Sequence, residues 1–269
     1  MAIHAARTRR LLTVPALSEL TRRSGVVTAL LMAVLQVGLV CTLWRAVYAT
    51  TEVSAGLDVR QAVTYVVLAL LVQRIRWGSR LHSRESLWAL VRDGRIIYWF
   101  LRPLGPRRHY LLKSLGEILY WGTWSLAGYG IALAAGLISP PPDARVAALA
   151  AVSLLLGQVI AHQLMLGIDL LCFWTTANTN ALRVYSFSSD LLSGAFVPLW
   201  FFPGWFLTLN QWLPFQGTIN VPVSIYVGRI PAAEALVQLG IQTLWCCLLY
   251  AMTSFLWRHA IRRVDVQGG

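Results

Sequence analysis

The chain has 269 residues, of which 57% are hydrophobic and only 13% charged, against about 25% charged in an ordinary soluble domain. With a mean hydropathy of +0.60, this composition excludes a soluble globular domain, a disordered chain and a disulfide scaffold, and it points to lipid as the main solvent. A formal charge of +12 in a soluble protein would suggest nucleic acid; here its distribution along the chain decides its meaning. Cys41, Cys172, Cys246 and Cys247 lie in apolar stretches with neither CxxC nor metal-ligand spacing, and read as small buried hydrophobes.

One membrane crossing needs about 20 apolar residues, and charge-free windows locate the candidates. The first is about 25–48, with Trp44 and Tyr48 placed for an interfacial aromatic belt. Its apolar run is too long for a secretory signal and no small-residue cleavage site follows. The second, about 57–73, is the weakest by hydropathy. Its uncharged part, Gln61 to Gln73, covers only about 20 Å, which leaves Asp58 and Arg60 at the interface with Arg60 snorkelling. The third, about 115–138, stops before Pro140-Pro141-Pro142; the fourth, 145–174, and the sixth, 233–257, have ordinary spanning length. From Leu191 to Gly228 no charge occurs, yet Pro198, Pro203, Pro214 and Pro222 interrupt the stretch. It predicts a fifth span over 187–209, then a broken segment, 211–230, as two short helices dipping into the outer leaflet. Irregular backbone at that depth must be buried in protein or face water.

The basic residues orient this chain. Arg7, Arg9, Arg10, Arg22 and Arg23 precede the first span. The loop 74–113 carries Arg74, Arg76, Arg80, Arg84, Arg92, Arg95, Arg102, Arg107, Arg108 and Lys113. Arg183 follows the fourth span, and Arg258, Arg262 and Arg263 follow the sixth. That places nineteen on one side against Arg45, Arg60, Arg145 and Arg229 on the other, which fits the positive-inside rule with both termini cytoplasmic. The positive charge is thereby explained without nucleic acid.

Residues 74–113 are too many for a simple connector. Ser83 offers N-cap chemistry; Leu87, Trp88 and Val91 share a face, with Arg84 and Arg92 off it. Arg92-Asp93-Gly94-Arg95 is a turn signal, an apolar run from Ile96 to Leu101 follows, and Arg102-Pro103 breaks it. The pattern predicts a short amphipathic helix, a sharp turn and a second amphipathic piece returning to the membrane. Two readings fit: an interfacial helix on anionic lipid, or a docking element for a cytoplasmic partner.

The chain has no GxxxxGK[ST] loop, no HExxH, no GxSxG and no dinucleotide fingerprint, so no catalytic or cofactor-binding residue and no metal site is assigned. Polar residues at lipid depth are the default functional candidates: Gln36 in the first span, and Gln158, His162 and Gln163 in the fourth. Glu117, Asp169 and Asp190 sit near span ends. Gln158 and His162 share a helix face. They read either as a substrate-facing stripe or as helix–helix hydrogen bonding, and His162 with Asp169 could form a proton relay. Gly122, Ala127, Gly130 and Ala134 read as close-packing positions.

Several motifs in this order resemble the permease subunits of type-2 ABC exporters, in the branch that includes viologen-exporter-like proteins. Trp44-Arg45-Ala46-Val47-Tyr48 is similar to the pattern after the family's first span, and Thr64-Tyr65 to its second. Asp93-Gly94-Arg95 through Leu101-Arg102-Pro103-Leu104 resembles its cytoplasmic loop. Gly194-Ala195-Phe196-Val197-Pro198-Leu199, Pro203-Gly204-Trp205, Leu213-Pro214-Phe215, Pro222 and Gly228 resemble its fifth-span series. The likeness covers nearly the whole chain.

The resemblance implies an all-α membrane protein, 1–269 as one transmembrane domain, with six spans. It also implies a cytoplasmic N-terminal interfacial helix over Arg7 to Arg23, a cytoplasmic coupling helix, and a broken re-entrant segment before the last helix. In that family Arg84, Leu87, Trp88, Val91, Arg92, Asp93, Gly94 and Arg95 would dock a separate ATP-binding subunit. Gly194, Pro198, Pro203, Trp205, Pro214, Phe215 and Pro222 would form the outer gate, and Gln36 and Tyr65 would face the substrate path, lined from spans one, two and five. The implied partners are that ATPase, which holds the ATP and magnesium, a second permease half (a copy or a sister chain) and membrane lipid, in a bacterial inner membrane. The implied function is efflux of amphipathic or hydrophobic compounds, such as cationic drugs or lipid-like products. A proton-coupled carrier and a non-transporting scaffold are the rival expectations.

Overall fold

The computed structural model describes residues 23–50, 58–81, 87–101, 105–175 and 179–263. The expected N-terminal interfacial helix and Arg84 lie outside them. Ten α-helices and no strand occur among the described residues. They are α1 (Arg23–Thr50), α2 (Val59–Leu81), α3 (Leu87–Arg92), α4 (Ile97–Phe100), α5 (Pro106–Ala134), α6 (Ala144–Leu170), α7 (Thr179–Ser193), α8 (Gly204–Asn210), α9 (Asn220–Tyr226) and α10 (Ala232–Ile261). Short 3-10 turns lie at Leu171–Phe173, Leu199–Phe201 and Phe215–Thr218.

Local chemistry sets the ends. Pro106 opens α5, where its missing N–H costs nothing. Asp143 caps α6, its Oδ1 accepting from the Val146 N–H at 2.7 Å. The stop at Ser193 is a Schellman closure: Ala195 N–H donates to Asp190 O at 3.0 Å and Gly194 N–H to Leu191 O at 3.3 Å, while Gly194 takes φ +79°.

Burial is inverted relative to a soluble bundle. Leu35, Leu39 and Leu43 of α1, and Leu236, Val237, Leu244 and Leu248 of α10, are exposed. Ser153, Gln163, Asp169, Asp190, Gln242 and Thr253 are buried. Apolar outside and polar inside is the arrangement lipid selects, because hydrogen bonding between helices then replaces water. The α6 segment Ala144–Phe173 and the α10 segment Ala232–Ile261 are each long and apolar enough to cross a membrane.

Helices α6 and α10 pack along each other, α2 packs against α1 and α5, and α9 bridges α6 and α2. Helix α2 is enclosed along its middle: Ala62 through Leu70 are all buried, among Trp44, Ala132, Ile219, Val223 and Val227. The segment with the weakest apolar signal is thus shielded there by its neighbours. It also runs on to Leu81, and α5 begins at Pro106, so the connector is shorter than 74–113.

The fifth segment departs most from expectation. No continuous helix covers 187–209. Helix α7 starts earlier, at Thr179, and ends at Ser193 because Gly194 and then Pro198 turn the chain. The Leu199–Phe201 turn and α8 follow, and Asn210 Nδ2 donates back to Leu192 O at 2.9 Å.

Segment 211–230 folds into the bundle. Gln242 of α10 donates from Nε2 to Gly217 O at 2.6 Å and to Ser153 O at 3.1 Å, and Ser153 Oγ donates to its Oε1 at 2.9 Å. A Cβ on Gly157, midway along α6, would lie 2.6 Å from Gly217 O. The chain therefore descends to the middle of α6 at Gly217, turns, and climbs back as α9, whose Val221 to Ile225 are buried. Among the small residues expected to permit close packing, Gly122 and Gly130 have open space where a Cβ would be, and Ala127 and Ala134 are exposed. The close approach falls instead at Gly157.

Candidate functional site

Two regions stand out. At the first, α3 and α4 form a helix–turn–helix. Asp93 N–H closes the first helix on Ala89 O at 2.9 Å, and Ile96 N–H reaches back to Leu90 O at 2.9 Å. Leu87, Leu90, Ile96 and Trp99 pack on Leu166 and Leu170 of α6, Cys172, and Trp257 and Ala260 of α10. The Trp99 ring stands edge-on to buried His109 of α5, centroids 4.6 Å apart. This unit is seated on the ends of three long helices.

Its free face is the turn. Arg92 Nε donates to Asp93 Oδ1 at 2.9 Å, and Arg95 Nη2 to Asp93 Oδ2 at 3.2 Å. The Arg92 hydrogen bond, with Arg95 behind it, holds the Asp93 carboxyl below its ordinary value. Arg92 also stacks on Trp88, 4.5 Å from the ring centroid. Tyr98 and Leu101 are exposed beside the turn.

The expected docking set divides by burial. Leu87 is 1% exposed and packs toward α6 and α10. Trp88 and Val91 are half-buried against the same cluster. Arg92, Asp93, Gly94 and Arg95 are exposed, and Tyr98 and Leu101, which the sequence reading did not single out, are exposed beside them. Two expected loop arginines are also drawn into the bundle. Arg107 donates to Ser254 Oγ at 2.7 Å and lies over the Tyr250 ring; Arg76 is described next.

The second region is the seam between α2 and α7 with the chain that follows. At its lower part, Arg76 and Asp190 approach to 3.8 Å, both side chains 2% exposed. Arg76 Nη1 donates to Ser193 Oγ at 3.2 Å and Nη2 to Ser189 Oγ. Higher up, Tyr65 Oη donates to Asn220 Oδ1 at 3.0 Å and touches Gly194 O at 3.5 Å. A Cβ on Gly194 would stand 2.8 Å from Tyr65 Oη. The Trp200 ring packs edge-on to Tyr65, centroids 4.6 Å apart, and Phe201 packs on Trp44 at 5.0 Å.

The expected gate residues divide. Gly194, Pro198, Pro214 and Pro222 are buried and Phe215 half-buried, whereas Pro203 and Trp205 are exposed. The two expected path residues are not brought together: Tyr65 is fully buried and Gln36 lies exposed on α1. Sequence reading missed Arg76, counted as a loop cation, and Asn220.

The polar residues of α6 are engaged with its neighbours. His162 Nδ1 pairs with Ser114 Oγ of α5 at 2.9 Å, and Thr253 Oγ1 donates to Gln163 Oε1 at 2.8 Å. Tyr110 Oη donates to Asp169 Oδ2 at 2.6 Å, which places Tyr110 rather than His162 on that carboxylate. Gln158 is half-buried, its Nε2 without a hydrogen-bond partner.

A helical bundle with apolar residues outward and polar residues inward is the arrangement of a membrane protein. A family model described as ABC-2 family transporter protein matches residues 12–268, and the chain belongs to that family. Its role is that of a transport permease, a membrane component. No curated protein and no solved structure matches the chain.

Proposed function

We propose that this chain is one half of an ATP-driven exporter of the viologen-exporter-like branch, with six crossings and both termini cytoplasmic in a bacterial inner membrane. The observation that carries the proposal is the seating of α3 and α4 on the ends of α5, α6 and α10, with a charged turn, Arg92–Arg95, left outward. A unit fixed to three helices and presenting a rigid charged tip suits the transmission of force from a separate subunit.

In this reading an ATP-binding subunit, which carries the ATP and magnesium, docks on Arg92, Asp93, Gly94, Arg95, Tyr98 and Leu101. Closure of two such subunits displaces the tip, and α6 and α10 carry the displacement to Gly217 through Gln242. Segment 211–230 acts as the external re-entrant gate, supported by the depth of Gly217 along α6. A second permease half completes the path, and amphipathic or hydrophobic compounds are carried outward by alternating access.

The test is a pull-down from solubilised native-host membranes, comparing wild type with an Asp93→Arg, Tyr98→Asp double variant. An ATPase subunit that co-purifies with wild type and is lost in the variant is the expected result. Recovery of no ATPase with wild type would overturn the exporter reading.

A further inference from the structure

The outer end of the seam holds a cluster of aromatic rings with unspent donors. Trp44 and Tyr48 of α1 lie 6.4 Å apart by ring centroid, and Phe201 packs on both, at 5.0 Å and 6.5 Å. Trp200 joins Phe201 at 6.0 Å and Tyr65 at 4.6 Å. The Arg229 guanidinium covers the Trp200 face, 4.4 Å from its centroid. The box is drawn from α1, α2, the Leu199–Phe201 turn and the chain after α9.

Two of its polar atoms have no acceptor. Tyr48 Oη and Trp200 Nε1 are both buried without a hydrogen-bond partner. Between the two, only the Trp200 indole could donate to the Tyr48 hydroxyl, because an indole nitrogen accepts no hydrogen bond. Even if its N–H turns onto Tyr48 Oη, the phenol proton still has nothing to donate to. A buried donor left unmade is costly, and natural structures rarely keep one without a use. Tyr65, in the same box, spends its proton on Asn220, so the deficit belongs to the Tyr48–Trp200 corner.

We propose that this corner recognises an amphiphile whose head is an anionic hydrogen-bond acceptor, a phosphate or a carboxylate. The head takes the Tyr48 O–H and Trp200 N–H and faces the Arg229 guanidinium, while the rings of Trp44 and Phe201 hold the first carbons of the tail. A cationic head is excluded, because Arg229 already occupies the ring face a cation needs. The proposal rests on the transporter reading and narrows its substrate or lipid class.

The test uses full-length chain in dodecyl maltoside and 32P-labelled decyl phosphate, read by scintillation proximity. Saturable binding is expected, undisturbed by decyltrimethylammonium. Tyr48→Phe and Trp200→Phe each weaken it about fivefold, the equivalent of one net hydrogen bond, and Arg229→Gln weakens it about tenfold or more. Tyr48→Phe keeps or raises the melting temperature, since it removes a buried donor that has no acceptor and little else; a purely structural corner would show that rise with no change in binding. Displacement by phosphatidylglycerol assigns the corner to a lipid headgroup, and its failure to displace assigns it to a soluble amphiphile; either outcome supports the anionic chemistry. Equal binding by all variants, displacement by decyltrimethylammonium, or no saturable binding overturns it. The same preparation from native-host membranes is probed for a co-purifying ATPase. Loss of binding with the ATPase present sinks only the ligand assignment, and binding without an ATPase sinks only the exporter reading.

Discussion

Gly157 and Gly217 meet backbone to backbone: a Cβ on Gly157 would stand 2.6 Å from the Gly217 carbonyl oxygen and 3.2 Å from Thr218 Cα. Backbone cannot yield as a side-chain tip can. Gly157→Ala is therefore expected to destabilise by about 1–3 kcal/mol, as overpacking does. Gln242→Leu, which strips the side-chain hydrogen bonds to Ser153 and Gly217, is expected to cost about 1–2 kcal/mol. Melting curves in detergent measure both. Wild-type melting in Gly157→Ala would show that the turn does not sit against α6.

The Arg76–Asp190 contact yields an asymmetric result. Asp190→Leu or Arg76→Met alone leaves a buried charge without its counterpart, a loss of about 3–5 kcal/mol. The double Arg76→Met, Asp190→Leu variant recovers most of it, because removing both charges also removes the desolvation penalty. If the two single losses simply add in the double variant, as read by melting temperature, the residues are not coupled.

Tyr65 and Gly194 form a second cycle. Gly194→Ala places a Cβ 2.8 Å from Tyr65 Oη on a residue at φ +79°, and an expected loss of about 1–3 kcal/mol combines clash with backbone strain. Tyr65→Phe costs about 1 kcal/mol through the Asn220 hydrogen bond. In the double variant the clash with the hydroxyl disappears but the strain persists, so the combined loss falls short of the sum. Additive losses would assign the whole Gly194 effect to φ.

At the proposed docking unit, burial separates two neighbouring kinds of residue. Leu87→Ala, at a position 1% exposed, is expected to lower stability by about 2–5 kcal/mol. Tyr98→Asp, at an exposed position, leaves melting unchanged and weakens ATPase capture. Captured ATPase and melting temperature, measured on the same samples, separate the two; equal capture by Tyr98→Asp moves the docking face elsewhere.

Titration of Asp93 adds a further expectation. The Arg92 hydrogen bond lowers its pKa, so the ion pairs of the turn are complete above the ordinary carboxylate value and fail only as pH falls through the depressed one. Capture should therefore be flat from about pH 8 to about pH 5. A fall in capture centred near pH 6 would exclude Asp93 as the responsible group.

Much of the helical layout was legible because lipid imposes a coarse rule: long apolar windows between Arg145 and Asp169, or between Glu234 and Arg258, have few alternatives to a helix. The α3–turn–α4 unit was legible from Arg92-Asp93-Gly94-Arg95, since turn chemistry is local. Which face of that unit points inward was not, because Leu87 and Tyr98 are both apolar and only packing on Leu170 and Trp257 distinguishes them. The end of α7 was missed for a related reason. Uncharged sequence on both sides of Gly194 carries no hydropathy boundary, and the closure is made by backbone conformation. Arg76 was misplaced because charge counting assigns an arginine to water, whereas Asp190, Ser189 and Ser193 supply a polar site over a hundred residues further along the chain.

The enclosure of α2 has a consequence for how the protein is made. A helix carrying Arg74, Arg76 and Arg80 near one end, and Asp58 and Arg60 at or just before the other, is a poor substrate for insertion on its own, since each arginine deep in a span opposes partitioning into lipid. Its stable surroundings come from residues made later: Ser125 of α5 donating to Leu71 O, Asp190 and Ser193 of α7, Val223 of α9. Helix α2 is thus made well before much of its environment, and the nascent chain must hold it in a protected place, beside the insertion machinery, until the fifth segment arrives.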